Sequence, residues 1–376
     1  MARILPGYDR LEDDARRRNV AARKPGLGAR LKDWLRKRSS KSPPPAKGPI
    51  PQVAPVATPT QTTKPSAEQR RHPLDLGCTL ADFRRIRLIG SGSFGKVYLA
   101  RHRATYTFVA LKEIEAVPGR LNRLRRMVLQ EATLMEDVSH PFIVELRYVF
   151  SGPRSMFLGM EYVPGQDLWT LMYERGRAPM PEQDAVFYIG QLVLALDYLH
   201  TKKSIIYRDI KSENIVLDAK GYIRLVDFGC ATRLAPGALC AMKCGTMQCL
   251  APEALCDEIQ EEFGGGYGYP SEYWSLGVLL YEMLVGRAPF VFDAKTESAE
   301  DFAKRMADPR TQVDIPITVS STAASLLRGL LQKSPKKRFG ADDIRRHRMF
   351  SQMDWGALAA KRLPAPWVPA SSSPQP

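Results

Sequence analysis

Long apolar runs are missing from this 376-residue chain. No stretch approaches the roughly 18–20 apolar residues of a membrane helix, so a helical span is not expected. Cysteine is scarce. Cys78, Cys230, Cys240, Cys244, Cys249 and Cys256 fit no common zinc spacing, and reduced thiols are the expectation. Met1-Ala2-Arg3 opens neither a secretory signal nor, with Ala at position 2, a myristoylation site. A cytoplasmic setting is therefore expected, with nuclear entry open.

Charge is present but unevenly placed. Of the net +15, residues 1–75 hold 17 Lys/Arg against 7 Asp/Glu, leaving only +5 for the rest. Specific nucleic-acid binding is not expected of that remainder. Nine prolines fall between Pro43 and Pro73, among Ser, Thr, Ala and Gln. Such a stretch buries too little apolar surface to offset chain entropy, so residues 1–75 are expected to form a disordered basic arm. One piece differs: Leu27, Leu31, Trp34 and Leu35 recur at helical spacing against a basic face. It suits an anionic membrane surface, a partner groove or calmodulin, and equally a nuclear-import signal or a merely solvated basic segment.

The chain is organised around residues 205–229. Ile205–Tyr207 and Ile215–Leu217 read as short buried strands, Asp218–Gly221 as a turn and Tyr222–Val226 as a third strand. Between these anchors sit Asp209, Lys211, Asn214 and Asp227. Two acids, an amide and an amine on loops fixed by core strands suit phosphoryl transfer.

Upstream lies Gly90-Ser91-Gly92-Ser93-Phe94-Gly95-Lys96-Val97. Glycines there let backbone N–H groups approach phosphates. Alone the pattern is weak, because dinucleotide-binding folds share it. Here it continues as a strand, Lys96–Arg101, and another follows through Phe108, Val109, Ala110 and Leu111 to Lys112. That is a hairpin over a nucleotide. A buried lysine needs a partner, and Glu131, on an expected helix, is the candidate. Downstream, Ala185–His200 carries a buried stripe, and Trp274–Val285 is nearly all apolar, as a central helix would be.

Together, Tyr207-Arg208-Asp209-Ile-Lys211-Ser-Glu-Asn214, Asp227-Phe-Gly229 and Ala251-Pro-Glu253 resemble the protein-kinase signature. Asp218-Ala-Lys-Gly-Tyr-Ile and the ending Ala365-Pro-Trp-Val-Pro369 extend the resemblance, from Phe83 to Pro369, to AGC-group kinases of the cAMP-dependent type. It implies an α+β, bilobal fold. The small β-rich lobe would span 83–160, the helical lobe 164–350, and a short tail 351–376.

The resemblance implies ATP and Mg2+ as cofactors. Asp209 would meet the substrate hydroxyl, Asn214 and Asp227 would hold magnesium, and Lys211 would steady the γ-phosphate. Lys112, paired with Glu131, would meet the other phosphates. Met160 would be the gatekeeper, and the backbone of Glu161 and Val163 would meet adenine, with Ala110 and Val97 lining the pocket. It further implies substrates with basic residues before a serine or threonine, gripped by Asp167 (also beside the nucleotide), Glu213 and Glu282. A cyclic-nucleotide-binding regulatory subunit is an open partner. Arg338 would pair with Glu253.

There are departures. Where relatives place a phosphothreonine and three ligands, this chain has Met242, Met127, Arg208 and Thr232, so a segment active without phosphorylation is expected, packed by the two methionines. Glu272 replaces a helix aspartate that anchors the catalytic loop. Residues 263–270 form a glycine-rich loop without an assigned role. The alternative is a pseudokinase-like binding or scaffolding module that keeps the fold.

Overall fold

The computed structural model describes residues 77–92, 95–174, 176 and 178–369. The arm over 1–75, including the amphipathic piece at 27–38, lies outside them, as do Ser93, Phe94 and residues 370–376.

The first five strands form one antiparallel sheet, ordered β1-β2-β3-β5-β4. They are β1 (Phe83–Gly92), β2 (Gly95–His102), β3 (Phe108–Glu115), β4 (Leu146–Ser151) and β5 (Ser155–Glu161). Period-2 alternation gives the sheet two faces. One carries Phe83, Ala100, Val109, Leu111, Phe150 and Phe157 in a core of their own. Phe150 stacks between Phe83 (5.3 Å) and Phe157 (4.9 Å), which holds β1 against β4 and β5. Helix α1 (Leu121–Glu136) packs on β4 and β5 and buries Val128, Leu129, Ala132 and Met135 in the larger core.

The second lobe is helical. Helices α2 (Leu168–Glu174), α3 (Glu182–Lys203), α4 (Pro252–Leu255), α5 (Asp257–Glu262) and α6 (Pro270–Val285) precede four more between Ala299 and Ala359. Helix α6 is buried on almost every side, the state that an all-round apolar helix requires. It starts on Pro270 and stops at Gly286, whose φ of 77° is the left-handed geometry that ends helices. Below it, Arg338 grips Glu253 with two charge-assisted hydrogen bonds of 2.5 and 2.9 Å, the pairing the sequence implied.

Two small ladders carry the loops between the lobes: β6 (Ile205–Ile206) with β9 (Thr232–Arg233), and β7 (Ile215–Leu217) with β8 (Ile223–Leu225). Leu225 exchanges backbone hydrogen bonds with Phe142 and Val144, stitching the entry to β4 onto this platform. Residues 361–369 close over the β7–β8 turn. Lys361 pairs with Asp218 at 2.8 Å, and the Tyr222 hydroxyl donates to the Leu363 carbonyl. A Cβ at Gly221 would stand 2.0 Å from the Trp367 carbonyl oxygen, so no other residue fits that turn.

The cysteines correct one expectation. Cys230 and Cys244, 14 residues apart, are joined as a disulfide with Cα atoms 5.9 Å apart. The chain from 230 folds back on itself before Ala251, which brings two sequence-distant thiols into bonding range. Cys78, Cys240, Cys249 and Cys256 are buried and form no disulfide among the described residues.

Candidate active site

The site lies where β3, α1, the 205–229 stretch and the segment 230–253 converge. Lys112 ends the apolar run of β3 and is 3% exposed. Its ammonium donates to Glu131 at 2.9 Å and to Asp227 at 2.8 Å. Burial alone would pull the Lys112 pKa down. The two carboxylates outweigh it and raise the ammonium above its usual range. Burial raises the Glu131 pKa against the pull of Lys112. Asp227 ends below its usual range, because Lys112 and the Gly229 N–H overcome its burial. Asp227 also takes a left-handed φ of 59°, strain that the surrounding bonds hold in place.

Asp209 is 5% exposed, with both oxygens engaged. One accepts from Lys211 (2.7 Å) and Asn214 (2.8 Å), the other from the Thr246 hydroxyl (2.9 Å). Lys211 also donates to Thr246 at 3.0 Å. The carboxylate, amine and amide therefore form one cluster fixed to the later segment. The Tyr207 hydroxyl donates to the Val226 carbonyl, binding the catalytic loop to the strand end that carries Asp227.

Glu272, the doubtful substitution, anchors this loop. One oxygen accepts both backbone N–H groups of Tyr207 (2.9 Å) and Arg208 (2.7 Å), and the other contacts His200 Nε2 at 2.5 Å. These bonds hold Arg208 at a φ of 72°. The loop is thus held despite the change from aspartate to glutamate. His200 gave no signal in the sequence, since it reads as one more residue of an apolar stripe.

The residues expected to meet the nucleotide lie on neighbouring strands of the sheet. Gly90 pairs with Val97, Val97 with Lys112, and Ala110 with Met160, which is 6% exposed. Glu161 pairs with Arg224 at 2.8 Å, and Val163 is buried just beyond. Ser91 and Gly92 end β1. Among the described residues no atom lies within 4 Å of a Cβ placed on Gly92, whereas one on Gly95, at φ 117°, would meet the Glu113 carbonyl at 2.1 Å. Position 95 is thus closed to any side chain.

The three groove acids differ in setting. Asp167 caps α2, its carboxylate accepting the Thr170 N–H (2.7 Å) and hydroxyl (3.0 Å). Glu213 is exposed, and Glu282 is half-buried rather than fully buried. Both lie close enough to Cys249 to push its thiol up, after burial itself. Met127 is 41% exposed, so it does not seal an apolar plug with Met242 as the sequence suggested. The segment is held instead by polar and covalent ties. Arg208 donates to the carbonyls of Cys230 (2.6 Å) and Met242 (3.4 Å). The glycine-rich loop takes part. Cys240 and Tyr267 exchange backbone bonds, and the Tyr267 hydroxyl donates to the Met242 carbonyl at 2.6 Å. Burial pushes that phenol up to about 12, so it stays a donor at any physiological pH.

A two-lobed sheet-and-helix fold, a buried lysine clamped by two acids and a buried carboxylate between lysine and asparagine are the pattern of a protein kinase. A protein kinase domain model matches residues 83–350, and the chain belongs to that family. Its relatives are AGC-group kinases. It is 38% identical over 307 residues to an atypical protein kinase C of Drosophila melanogaster, covering 78% of this chain and 49% of that one. It is 32% identical over 323 residues to the cAMP-dependent protein kinase catalytic subunit PRKX of Mus musculus, covering 84% of each. It is 37% identical over 297 residues to the kinase sck2 of Schizosaccharomyces pombe, covering 77% of this chain and 44% of that one. The chain thus spans about half the length of the Drosophila relative and less of the yeast one.

Proposed function

We propose that this chain transfers a phosphoryl group to serine or threonine hydroxyls preceded by basic residues, without needing phosphorylation of its own activation segment. The observation that carries the reading is the Asp209 cluster, a carboxylate held by Lys211, Asn214 and Thr246. Such a group orients an acceptor hydroxyl and takes its proton as the oxygen attacks. Lys211 supplies positive charge beside it.

The residues present fit ATP and magnesium. Gly90 and Gly92 add no side chain where a phosphate would approach the backbone, and Lys112 is held ready by two acids. Asn214 and Asp227 would hold Mg2+, which needs few protein ligands when phosphates supply others. Magnesium-ATP supplies the transferable phosphoryl group. Glu213 and Glu282 would meet substrate guanidinium groups, with Asp167 contributing beyond its capping role.

An arginine-rich serine peptide with magnesium-ATP tests the reading. Phosphorylation is expected from wild-type protein before and after phosphatase treatment, and none from Asp209→Ala. Equal signal from Asp209→Ala would refute the catalytic assignment and favour a pseudokinase.

The arm over 1–75 is proposed as a separate docking module for a membrane surface or partner; a cyclic-nucleotide-binding subunit is a further candidate partner. Deleting 1–75 is expected to leave peptide phosphorylation within about threefold while changing localisation. The cut must precede Cys78, which is buried beneath Phe83 in the small-lobe core. A large loss of activity in this truncation would show that the boundary is misplaced.

A further inference from the structure

Arg224 stands between two buried residues of β8, Ile223 and Leu225, and strand alternation turns its side chain to the opposite face. There it meets acceptors on two other stretches of chain. One terminal nitrogen donates to the carbonyls of Pro141 (2.9 Å) and Ile143 (3.2 Å), the other to the Glu161 carboxylate (2.8 Å). The Arg224 and Glu161 side chains are 19% and 20% exposed, so water and salt screen the pair only in part. The neighbouring backbone makes a related tie. Leu225 bonds Phe142 and Val144, and Val226 bonds Asn214. The Arg224 side chain carries that tie on to the end of β5.

The place of this pair matters. Glu161 ends β5 and opens the 161–163 connection between the lobes, where adenine is expected. Asp227 lies three residues after Arg224 and pairs with Lys112, where phosphates are expected. Two ion pairs of 2.8 Å therefore join the small-lobe sheet to the β7–β8 platform, one at each end of the expected nucleotide. Within the sheet, β3–β5 pairing sets Lys112 opposite Leu158 and Val109 opposite Glu161. Lys112, Asp227, Arg224 and Glu161 are thus the corners of a closed frame, with backbone along two sides and an ion pair along each of the others.

We propose that Arg224 is a positioning residue for the nucleotide: by holding Glu161 it sets the spacing between the adenine end and the phosphate end of the site. This role rests on the ATP-binding reading of the site. The choice of arginine follows from it. A planar guanidinium serves acceptors on two stretches in fixed directions, which the point charge of a lysine does not. Nearby charge adds to the hold on Glu161. Lys361 lies close enough to feel both Arg224 and Glu161. Burial, helped by Arg224 and Lys361, lowers the His140 pKa to about 4, so that ring stays neutral at physiological pH and adds no third cation. A ligand that spans both ends gains from a preset spacing. A ligand that fills only the adenine end does not.

The test compares magnesium-ATP with adenosine on the full chain, by displacement of a fluorescent nucleotide, which needs no phosphoryl transfer. Arg224→Gln is expected to weaken ATP binding about tenfold, a common size for coupling between two sites, and adenosine binding by less than about twofold. Arg224→Lys is expected to fall between wild type and Arg224→Gln. Glu161→Gln is expected to lose as much as Arg224→Gln, and the double variant no more than either, because the two act as a unit. In peptide phosphorylation the same variants raise KM for ATP while kcat stays within about threefold. Retained adenosine binding and melting temperature certify the fold of each variant. Equal losses for ATP and adenosine would overturn the proposal, as would additive losses in the double variant or no loss at all. Wild-type protein that binds neither ligand would refute the ATP-binding reading and the proposal with it. Binding of both without peptide phosphorylation would refute the kinase reading alone, and the two affinities would still judge the role of Arg224.

Discussion

Lys112→Met and Asp227→Ala each lower peptide phosphorylation by about 10²-fold or more. The two side chains meet at 2.8 Å, and Lys112 holds Glu131 at 2.9 Å on its other side. Lys112→Met keeps most of the side-chain volume but leaves two acids facing each other without the cation between them. Glu131, which burial already raises, then gains a proton more readily. Asp227→Ala leaves the lysine paired with Glu131 alone and removes a carboxylate proposed to hold magnesium. Steady-state kinetics with varied ATP separates the two. Lys112→Met is expected to act on kcat, and Asp227→Ala also to raise the magnesium requirement. Turnover near wild type in either variant would remove the basis of the proposed chemistry.

Arg338→Ala produces the largest expected loss of stability. Arg338 and Glu253 side chains are 0% and 2% exposed and share two hydrogen bonds. Removing one partner leaves a buried carboxylate without its cation, which costs about 3–5 kcal/mol. Arg338 also donates to the carbonyls of Pro270, Gln332 and Lys333, and lies 5.3 Å from the Trp274 ring centre. A drop in melting temperature of roughly 6–20 °C follows, at about 2–4 °C per kcal/mol. Differential scanning calorimetry measures it, and a shift within 2 °C, using the same conversion, would show that the pair is not a stabilising tie. Replacing both partners by apolar residues is expected to recover part of the loss.

The sequence made the fold legible wherever a chemical type was tied to a fixed spacing. Gly90 to Lys112 resolved into a hairpin because the pattern continued in strand periodicity rather than opening a helix. The short strands at 205–206, 215–217 and 223–225 sit within a residue or two of their apolar runs. What the sequence could not supply was contact across long separations. Glu272 looked like a defect because only its identity was visible. Its reach to two backbone amides 64 and 65 residues away was not. The glycine-rich loop had no role until Tyr267 was seen beside Met242. The six cysteines carried no pairing signal, since a separation of 14 residues allows many paths and few bring Cys230 to Cys244. The methionine packing failed for a related reason. Equivalent positions suggested a contact, but Met127 stays 41% exposed, too open for a sealed apolar plug.

The closure of residues 361–369 over the β7–β8 turn bears on when the enzyme matures during its own synthesis. Asp218 takes its salt bridge from Lys361, Tyr222 finds its acceptor at Leu363, and Gly221 touches the Trp367 carbonyl. That turn lies between Asn214 and Asp227. Translation proceeds at about 5–20 residues per second, so the 158 residues from Asp209 to Trp367 separate their emergence by roughly 8–30 s. A nascent chain therefore carries Asp209, Asn214 and Asp227 well before it carries the stretch that packs against the turn between them.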